Sequence, residues 1–278
     1  MAREYRSLKA ISPHFNPAPK VFLLCEDPSI VGAPFFVMER RRGVVPRREW
    51  PVHYRAAPDI FRRVSEAFTD CLIALHSVDI FGHDLDSLGR PEGFLERQVQ
   101  GWTARWRQAK TEELPQMDQL GGWLAKERPV SGKATILHND YKLDNLMLGL
   151  EDAGQITAVL DWEMATVGDP LVDLGVALSY WPESTDPEPR REAVSPVTTR
   201  PGFYSRRLLL KRYAAATGRD LSCIDYYEVF GLYKLAVVLQ QIYYRYHMGQ
   251  TQDPRFRNFP ERVRGLADAA MPVMERAS

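Results

Sequence analysis

The pattern of apolar residues near the start of the chain predicts first a helix and then strands. Residues Ala2–Ile11 read as a short helix, and two β-rich runs follow at Val21–Cys25 and at 34–39. Turn-forming residues lie between the two runs, at Asp27, Pro28, Ser29 and Gly32. We therefore predict a helix followed by an antiparallel β-hairpin.

The next part of the chain has a helical period. Apolar residues recur there at steps of three and four, which places them on one buried stripe. They are Ile60, Phe61, Val64, Phe68, Leu72 and Leu75. Further helices are predicted over 91–110, 170–181, 204–217 and 225–248, and from 256 onward. The stretch 182–202 is rich in Pro, Ser, Thr and charged residues, so we predict a loop or lid there.

Composition narrows the classes of function. Lys plus Arg balances Asp plus Glu at 36 each, which predicts no general attraction to nucleic acid or to an anionic membrane. The three cysteines, Cys25, Cys71 and Cys223, have neither disulfide nor zinc spacing. No apolar run approaches the roughly 20 residues that span a bilayer. We therefore expect a cytoplasmic protein. The basic stretch 40–43 is predicted to be a solvated loop.

Three short β-rich runs lie between the helical parts, at 134–137, 145–148 and 156–160, and polar residues follow each run. Phosphoryl transfer needs a carboxylate that accepts the hydroxyl proton, oxygen ligands for Mg²⁺ and a positive charge near the phosphoryl group. Asp140 is the candidate base, Lys142 can reach the phosphate, and Asn145 can offer an amide oxygen to Mg²⁺. Their spacing is the His-x-Asp-x-x-x-x-Asn of a kinase catalytic loop.

A second acidic residue, Asp161, lies sixteen residues after Asn145, at the end of the run 156–160. A β-hairpin joining the last two runs would bring Asn145 and Asp161 together, where both can bind a metal ion. Each residue alone has a structural interpretation, because strand-end aspartates commonly form turns and His138 can simply brace the loop. Their combination at catalytic-loop spacing favours the catalytic interpretation.

The segment 136–174 resembles the aminoglycoside phosphotransferase family. It does so through His138-Asn139-Asp140 with Asn145, and through Gly168-Asp169-Pro170-Leu171-Val172-Asp173-Leu174. Residues 3–6, 25–29, 36–39 and 249–251 are similar to the subgroup related to kinase domains fused to acyl-CoA dehydrogenases. The likeness covers essentially the whole chain. Asn139 stands where the family commonly has glycine, and Trp162-Glu163 stands where protein kinases have Phe-Gly.

The resemblance implies an α+β, protein-kinase-like two-lobed fold. Residues 1–40 would form a truncated small N-lobe, a helix plus β-hairpin that ends in a hinge. The hinge residues Met38, Glu39 and Arg40 would meet adenine through backbone groups. Residues 41–278 would form a large, mainly helical C-lobe that carries the catalytic loop and the metal-binding hairpin.

Glu4 resembles the helix glutamate that pairs with a strand lysine near the nucleotide in kinase-like folds. Only three residues precede it, and the two lysines before the hinge, Lys9 and Lys20, do not match the place of that lysine. We therefore expect that the glycine-rich hairpin and the lysine are missing, and that the chain as given binds ATP poorly. An open strand edge on the hairpin would favour a homodimer.

By the same resemblance the protein uses ATP and Mg²⁺, with Asp140 as the catalytic base and Asn145 and Asp161 as metal ligands. The leading function is phosphorylation of a hydroxyl on a small molecule, either aminoglycoside-like or, as the wider likeness favours, a hydroxyacyl-CoA-type alcohol. A pseudokinase-like binding module with little turnover is the alternative. A metal-dependent hydrolase using Asp140 and Asp161 would need further ligands.

Overall fold

The computed structural model describes residues 1–47, 49–51, 54, 59–83 and 85–277. The chain divides into two compact units. Unit 1 comprises Met1–Pro91, Lys133–Pro170 and Arg200–Arg219, and unit 2 comprises Glu92–Gly132, Leu171–Thr199 and Asp220–Ser278. Within the described residues, all strands belong to unit 1 and unit 2 is helical. The lobe boundary expected at residue 40 stays a prediction.

Unit 1 begins with the helix and hairpin expected from the sequence. Helix α1 (Ala2–Ile11) buries Leu8 and Ile11, which lie on one face because they are three residues apart. Strands β1 (Val21–Cys25) and β2 (Phe35–Met38) pair antiparallel. The predicted helix and hairpin are both confirmed.

Two further strand pairs of unit 1 carry the polar loops of interest. Strand β3 (Thr135–Leu137) pairs antiparallel with β6 (Thr166–Gly168), and β4 (Leu146–Leu148) pairs antiparallel with β5 (Ile156–Val159). The predicted hairpin between the second and third β-rich runs is confirmed. Strand β6 was not predicted, because its sequence Thr-Val-Gly has one strongly apolar residue and ends in glycine, which disfavours a strand.

Two helices complete unit 1. Helix α2 (Ile60–His76) buries the predicted stripe, except that Phe61 is only half-buried. Helix α7 (Arg206–Thr217) packs against α2 and is capped by Ser205, whose side chain accepts a hydrogen bond from the Leu208 N–H. A serine in this position satisfies one of the first free N–H groups of a helix, which explains where α7 begins.

Unit 2 is built from helices α3 (Phe94–Ala109), α4 (Pro115–Lys126), α5 (Pro170–Ser179), α6 (Glu188–Ala193), α8 (Ile224–His247) and α9 (Phe259–Ala277). Helix α8 is its centre, since every residue from 226 to 237 is buried. The carbonyl oxygen of Gly175 occupies the space where a Cβ of Gly231 would lie, so glycine is needed for this close approach. Within the described residues, no helix has both the length and the apolar character needed to cross a membrane.

The prediction of a loop over 182–202 is wrong in part. Helix α6 and a 3₁₀ turn at Pro196–Thr199 lie within that stretch. Arg190 of α6 is buried and donates through Nη2 to Glu228 Oε1 at 2.8 Å. A buried charge needs such a partner, and this one lies 38 residues away. The composition of the stretch therefore gave no sign of this buried partner of α6, although Asp186, 3.5 Å from Arg190 Nε, lies within it.

Candidate active site

Three of the predicted site residues meet in the catalytic loop, residues 138–145, which follows β3. Lys142 Nζ lies 2.6 Å from Asp140 Oδ2. The Asn145 amide nitrogen donates to the same carboxylate oxygen at 3.0 Å and to the Asp140 backbone carbonyl at 2.9 Å. The side chains of Asp140 and Lys142 remain 17% and 20% exposed. The Asp140 carboxylate is thus fixed in direction but still reachable by a ligand.

These hydrogen bonds assign the two ends of the Asn145 amide. Its nitrogen donates to Asp140, so its oxygen is the end that can coordinate a metal ion. Bonds to a charged carboxylate are stronger than neutral ones, which makes this orientation well defined.

His138 braces the loop from beneath, as the sequence predicted. Its fully buried ring donates from Nε2 to the Leu160 carbonyl at 2.9 Å, and its Nδ1 accepts from the Asp140 N–H at 3.2 Å. The two bonds define a neutral ring with the proton on Nε2. The ring also packs edge-on against Trp162, with centroids 4.8 Å apart.

Asp161 begins the metal-loop turn, residues 161–164, and one residue, Leu160, separates it from β5. Its backbone is left-handed, with φ 68°. This conformation costs roughly 1–2 kcal/mol for residues with a Cβ, and Asn and Asp tolerate it best. The Leu160 N–H donates to the Asn145 carbonyl at 2.8 Å, so the hairpin sets Asn145 next to the residue that precedes Asp161.

Asn139 is a site residue whose role sequence reasoning missed. Its backbone is also left-handed, with φ 63°, and its amide nitrogen donates to the Met164 carbonyl at 2.9 Å. The sequence held one signal of this backbone conformation. Asn139 stands where the family commonly has glycine, and both residues tolerate positive φ.

Glu4 reaches the metal-loop turn from α1. Burial raises the pKa of its carboxyl group above the ordinary value, and the negative charge of Asp161 raises it further. The backbone N–H of Trp162 donates to the carboxylate and lowers the pKa. The structure therefore brings Glu4, predicted as a nucleotide-site residue, next to Asp161.

The predicted hinge, Met38 to Arg40, begins at the last residue of β2, and its first and last residues are exposed. Met38 is 45% exposed and Arg40 is exposed. The Glu39 N–H donates to the Lys20 carbonyl at 2.7 Å, and its carboxylate accepts from the Lys20 N–H at 3.2 Å and pairs with Arg41 at 3.0 Å. The backbone after β2 is thus held at Glu39 while Met38 and Arg40 keep their exposure.

The prediction of a solvated loop at 40–43 is wrong for Arg41. Its guanidinium donates to the Asn16 carbonyl at 2.8 Å and to the Thr157 carbonyl at 3.4 Å, and its side chain is only 18% exposed. Arginine suits this position because its planar group can donate to several acceptors at once. Those acceptors are distant in sequence, so the run of arginines alone did not reveal them.

Gly43 and Val44, which follow the predicted hinge in sequence, lie against the β4–β5 hairpin. Val44 exchanges two backbone hydrogen bonds with Leu148, at 2.9 and 2.8 Å. A Cβ on Gly43 would lie 2.5 Å from Met147 Cγ and 2.8 Å from Thr157 Oγ1, and would collide with the Leu148 carbonyl oxygen. Only glycine fits this contact without displacing the hairpin.

The donors at the two loops fit Mg²⁺. Mg²⁺ prefers oxygen ligands and in nucleotide sites is usually bound by one or two protein groups together with phosphates and waters. Asn145 offers an amide oxygen and Asp161 a carboxylate. In the part of the chain that the structure describes, no three His, Cys, Asp or Glu side chains form a metal cluster. The site expected here has two protein ligands, which is fewer than the three side chains that such a cluster requires.

Comparison with known proteins defines the class. Structural neighbours are phosphotransferases, and the fold is kinase-like, with a helical majority and small sheets, as predicted. Residues 1–195 match the model of the phosphotransferase enzyme family. The chain belongs to this family.

The curated relatives are longer proteins. Acyl-CoA dehydrogenase family member 10 of Mus musculus is 33% identical over 270 residues, covering 96% of this chain and 25% of the relative. Acyl-CoA dehydrogenase family member 11 of Mus musculus is 33% identical over 279 residues, covering 99% of this chain and 35% of the relative. The chain spans about a quarter to a third of these relatives, and the predicted likeness to the acyl-CoA dehydrogenase-linked subgroup is confirmed.

Solved structures give the same fold. A Ralstonia eutropha JMP134 protein, described provisionally as an aminoglycoside phosphotransferase, has 29% identity and a TM-score of 0.84, over 99% of this chain and 83% of that one. A thermostable mutant of aminoglycoside phosphotransferase APH(4)-Ia, solved with ADP and hygromycin B, has 16% identity and a TM-score of 0.59, over 97% of this chain and 83% of that one. The second likeness supports the fold alone.

Proposed function

We propose that this protein transfers a phosphoryl group from ATP, with Mg²⁺, to a hydroxyl group of a small molecule. One observation carries the proposal. The Asp140 carboxylate is held by Lys142 and Asn145 while remaining partly exposed, next to the hairpin that leads to Asp161. A carboxylate that is fixed but accessible is what general-base catalysis requires.

Three residues of the catalytic loop then have a defined task. Asp140 accepts the proton of the substrate hydroxyl. Asn145 keeps the carboxylate oriented through its amide nitrogen. Lys142 carries a positive charge beside it and, being partly exposed, can turn toward a phosphate oxygen. These tasks are positioning and charge stabilisation, which account for most of the catalysis in phosphoryl transfer.

Other residues would hold the cofactor. When bound, the nucleotide supplies the phosphoryl group and Mg²⁺ offsets its negative charge. The Asn145 oxygen and the Asp161 carboxylate would hold the metal ion. The hinge backbone at Met38, Glu39 and Arg40 would meet the adenine.

The proposed substrate is a hydroxyacyl-CoA-type alcohol rather than an aminoglycoside. Support comes from the 33% identity to acyl-CoA dehydrogenase family members over nearly the whole chain. The likeness to the structure with hygromycin B is 16% in sequence and extends to the fold alone.

A substrate panel tests the function. The purified chain is incubated with ATP and either hydroxyacyl-CoA thioesters or aminoglycosides, with Mg²⁺ or with EDTA, and ADP is measured. We expect Mg²⁺-dependent ADP formation with a hydroxyacyl-CoA and none with the matching acyl-CoA that lacks the hydroxyl. Preference for an aminoglycoside would contradict the substrate class. A nucleotide-induced rise in Tm without any turnover would instead favour the binding module.

We also propose a cytoplasmic location. The spacing of the three cysteines supports a reducing compartment.

We propose in addition that the protein forms a homodimer. The dimer would form at the β1–β2 hairpin, where Phe22 and Leu23 are 64% and 53% exposed. Exposed apolar side chains on a two-stranded sheet are typical of an association surface.

A further inference from the structure

We propose that Asn139 is a positioning residue that holds the metal-loop turn against the catalytic loop and thereby lowers the Mg²⁺ concentration the protein needs. The link to Mg²⁺ rests on the proposed function. The link between the two loops rests on the geometry alone.

Backbone strain marks both ends of this link. Among the described residues, three non-glycine residues have positive φ, namely Asp59, Asn139 and Asp161. Two of the three therefore lie in the paired loops of the site. Such conformations cost free energy and persist only where surrounding contacts hold them.

Contacts to the catalytic loop bracket Asp161 on both sides. Before it, Leu160 accepts from His138 Nε2 at 2.9 Å and donates to the Asn145 carbonyl at 2.8 Å. After it, the Met164 carbonyl accepts from the Asn139 amide at 2.9 Å. Asn139 thus fixes the far end of the turn whose near end is fixed at Leu160.

The side chain of Asn139, not its backbone, is what this role requires. Glycine, the common residue at this position in the family, adopts φ 63° more easily than asparagine does. It has no donor for the Met164 carbonyl. Asn139 is only 3% exposed, so its bond is shielded from competing water. Asparagine therefore keeps the left-handed backbone and adds a direct connection between the loops.

The test compares Asn139→Gly with the wild-type chain. Glycine can adopt the same left-handed backbone and removes the side chain, including the amide that bonds to the Met164 carbonyl. Hydrogen–deuterium exchange of residues 160–165 is measured without nucleotide or metal, and the Mg²⁺ concentration for half-maximal rate is measured with ATP in excess. Losing one hydrogen bond corresponds to roughly a two- to tenfold effect. We expect increases of this size in both quantities, with a smaller change in kcat at saturating Mg²⁺.

Gln240→Ala is the matched control. Gln240 is also 3% exposed, and its amide nitrogen also donates to a backbone carbonyl, that of Ala109, at 2.9 Å. It belongs to unit 2. This variant should lower Tm without changing exchange at 160–165 or the Mg²⁺ requirement.

Asn139→Asp provides a second variant. It tolerates the left-handed backbone but turns an oxygen toward the Met164 carbonyl, so its exchange should exceed that of Asn139→Gly. Unchanged exchange in both variants would overturn the positioning role. Increased exchange with an unchanged Mg²⁺ requirement would overturn its link to the metal. A wild-type chain without Mg²⁺-dependent transfer would refute the proposed function, and the exchange data would still decide the role of Asn139.

Discussion

The catalytic loop and the β1–β2 hairpin belong to the same unit but are held in different ways. The loop depends on individual side chains, each bonded to a particular backbone group: His138 to Leu160, Asn139 to Met164, Asn145 to Asp140. The hairpin depends on strand pairing, to which the backbone of almost any residue contributes equally. Single side chains should therefore matter far more in the loop.

The two regions also differ in how exposed their side chains are. His138, Asn139 and Asn145 are all buried. The hairpin and its turn contain six large apolar side chains that are 42–64% exposed: Phe22, Leu23, Ile30, Val31, Val37 and Met38. Burying polar groups in the loop requires each to find a partner, whereas the hairpin side chains have little packing to lose.

The largest expected effect is that of Asp140→Asn. The amide is nearly the same size but cannot accept the hydroxyl proton, and general-base catalysis contributes about 10²–10⁴-fold. We expect a rate loss of that order with an unchanged circular dichroism spectrum, measured by ADP formation. A variant that keeps more than a tenth of the wild-type rate would refute the assignment of Asp140.

Asp161→Ala should have the next largest effect. Changes to groups that merely support a metal ligand cost about 10–100-fold in metal affinity, so losing a charged ligand should cost at least as much. Asn145→Ala removes a neutral ligand and should weaken Mg²⁺-dependent nucleotide binding less. Calorimetric titration of nucleotide at several Mg²⁺ concentrations measures both, and equal curves for wild type and Asp161→Ala would contradict the prediction.

Gly43→Ala tests how the chain that follows the β1–β2 hairpin is held against the β4–β5 hairpin, which follows the catalytic loop. The new methyl group would collide with the Leu148 carbonyl and the Met147 side chain, and overpacking of this kind costs about 1–3 kcal/mol. Gly122→Ala is the control, because Gly122 is exposed inside α4 and its added Cβ meets nothing within 4 Å. That variant should gain about 0.5–1 kcal/mol. Urea unfolding measures both, and equal stabilities would show that the chain at Gly43 is not held by this contact.

Phe22→Ser should have the smallest effect on folding. Exposed positions usually change the free energy of unfolding by less than about 0.5 kcal/mol. The same substitution should shift the protein from dimer to monomer, as measured by light scattering after size exclusion. A monomeric wild-type chain would refute the proposed dimer, and a large loss of stability would show that the hairpin depends on its side chains after all.

Local patterns were sufficient for much of the fold. Helix α1 has the predicted bounds, and the stripe on α2 was readable because it has a clear helical period. The β1–β2 hairpin was readable from its two β-rich runs and the turn residues between them. Helix α4 was not predicted. It contains two adjacent glycines, Gly121 and Gly122, which disfavour a helix, and tertiary burial of Met117, Leu120 and Leu124 outweighs that preference.

The sequence predicted only those parts of the site whose residues lie close together along the chain. The spacing of Asp140, Lys142 and Asn145 indicated a catalytic loop, and the structure brings the three together. The bond from Asn139 to Met164 and those from Arg41 join residues 25 to 116 positions apart. No local period encodes such partners, so their roles emerged only from the folded chain.

The left-handed backbone at residue 139 also constrains how the loop can evolve. Asparagine, aspartate and glycine are the residues that readily take φ near 63°. In the genetic code, asparagine cannot become glycine by one base change, and the shortest routes pass through aspartate or serine. Aspartate would set a carboxylate oxygen against the Met164 carbonyl, and serine is less tolerant of the backbone conformation. A change between asparagine and glycine at residue 139 would therefore pass through an intermediate that either repels the Met164 carbonyl or strains the backbone.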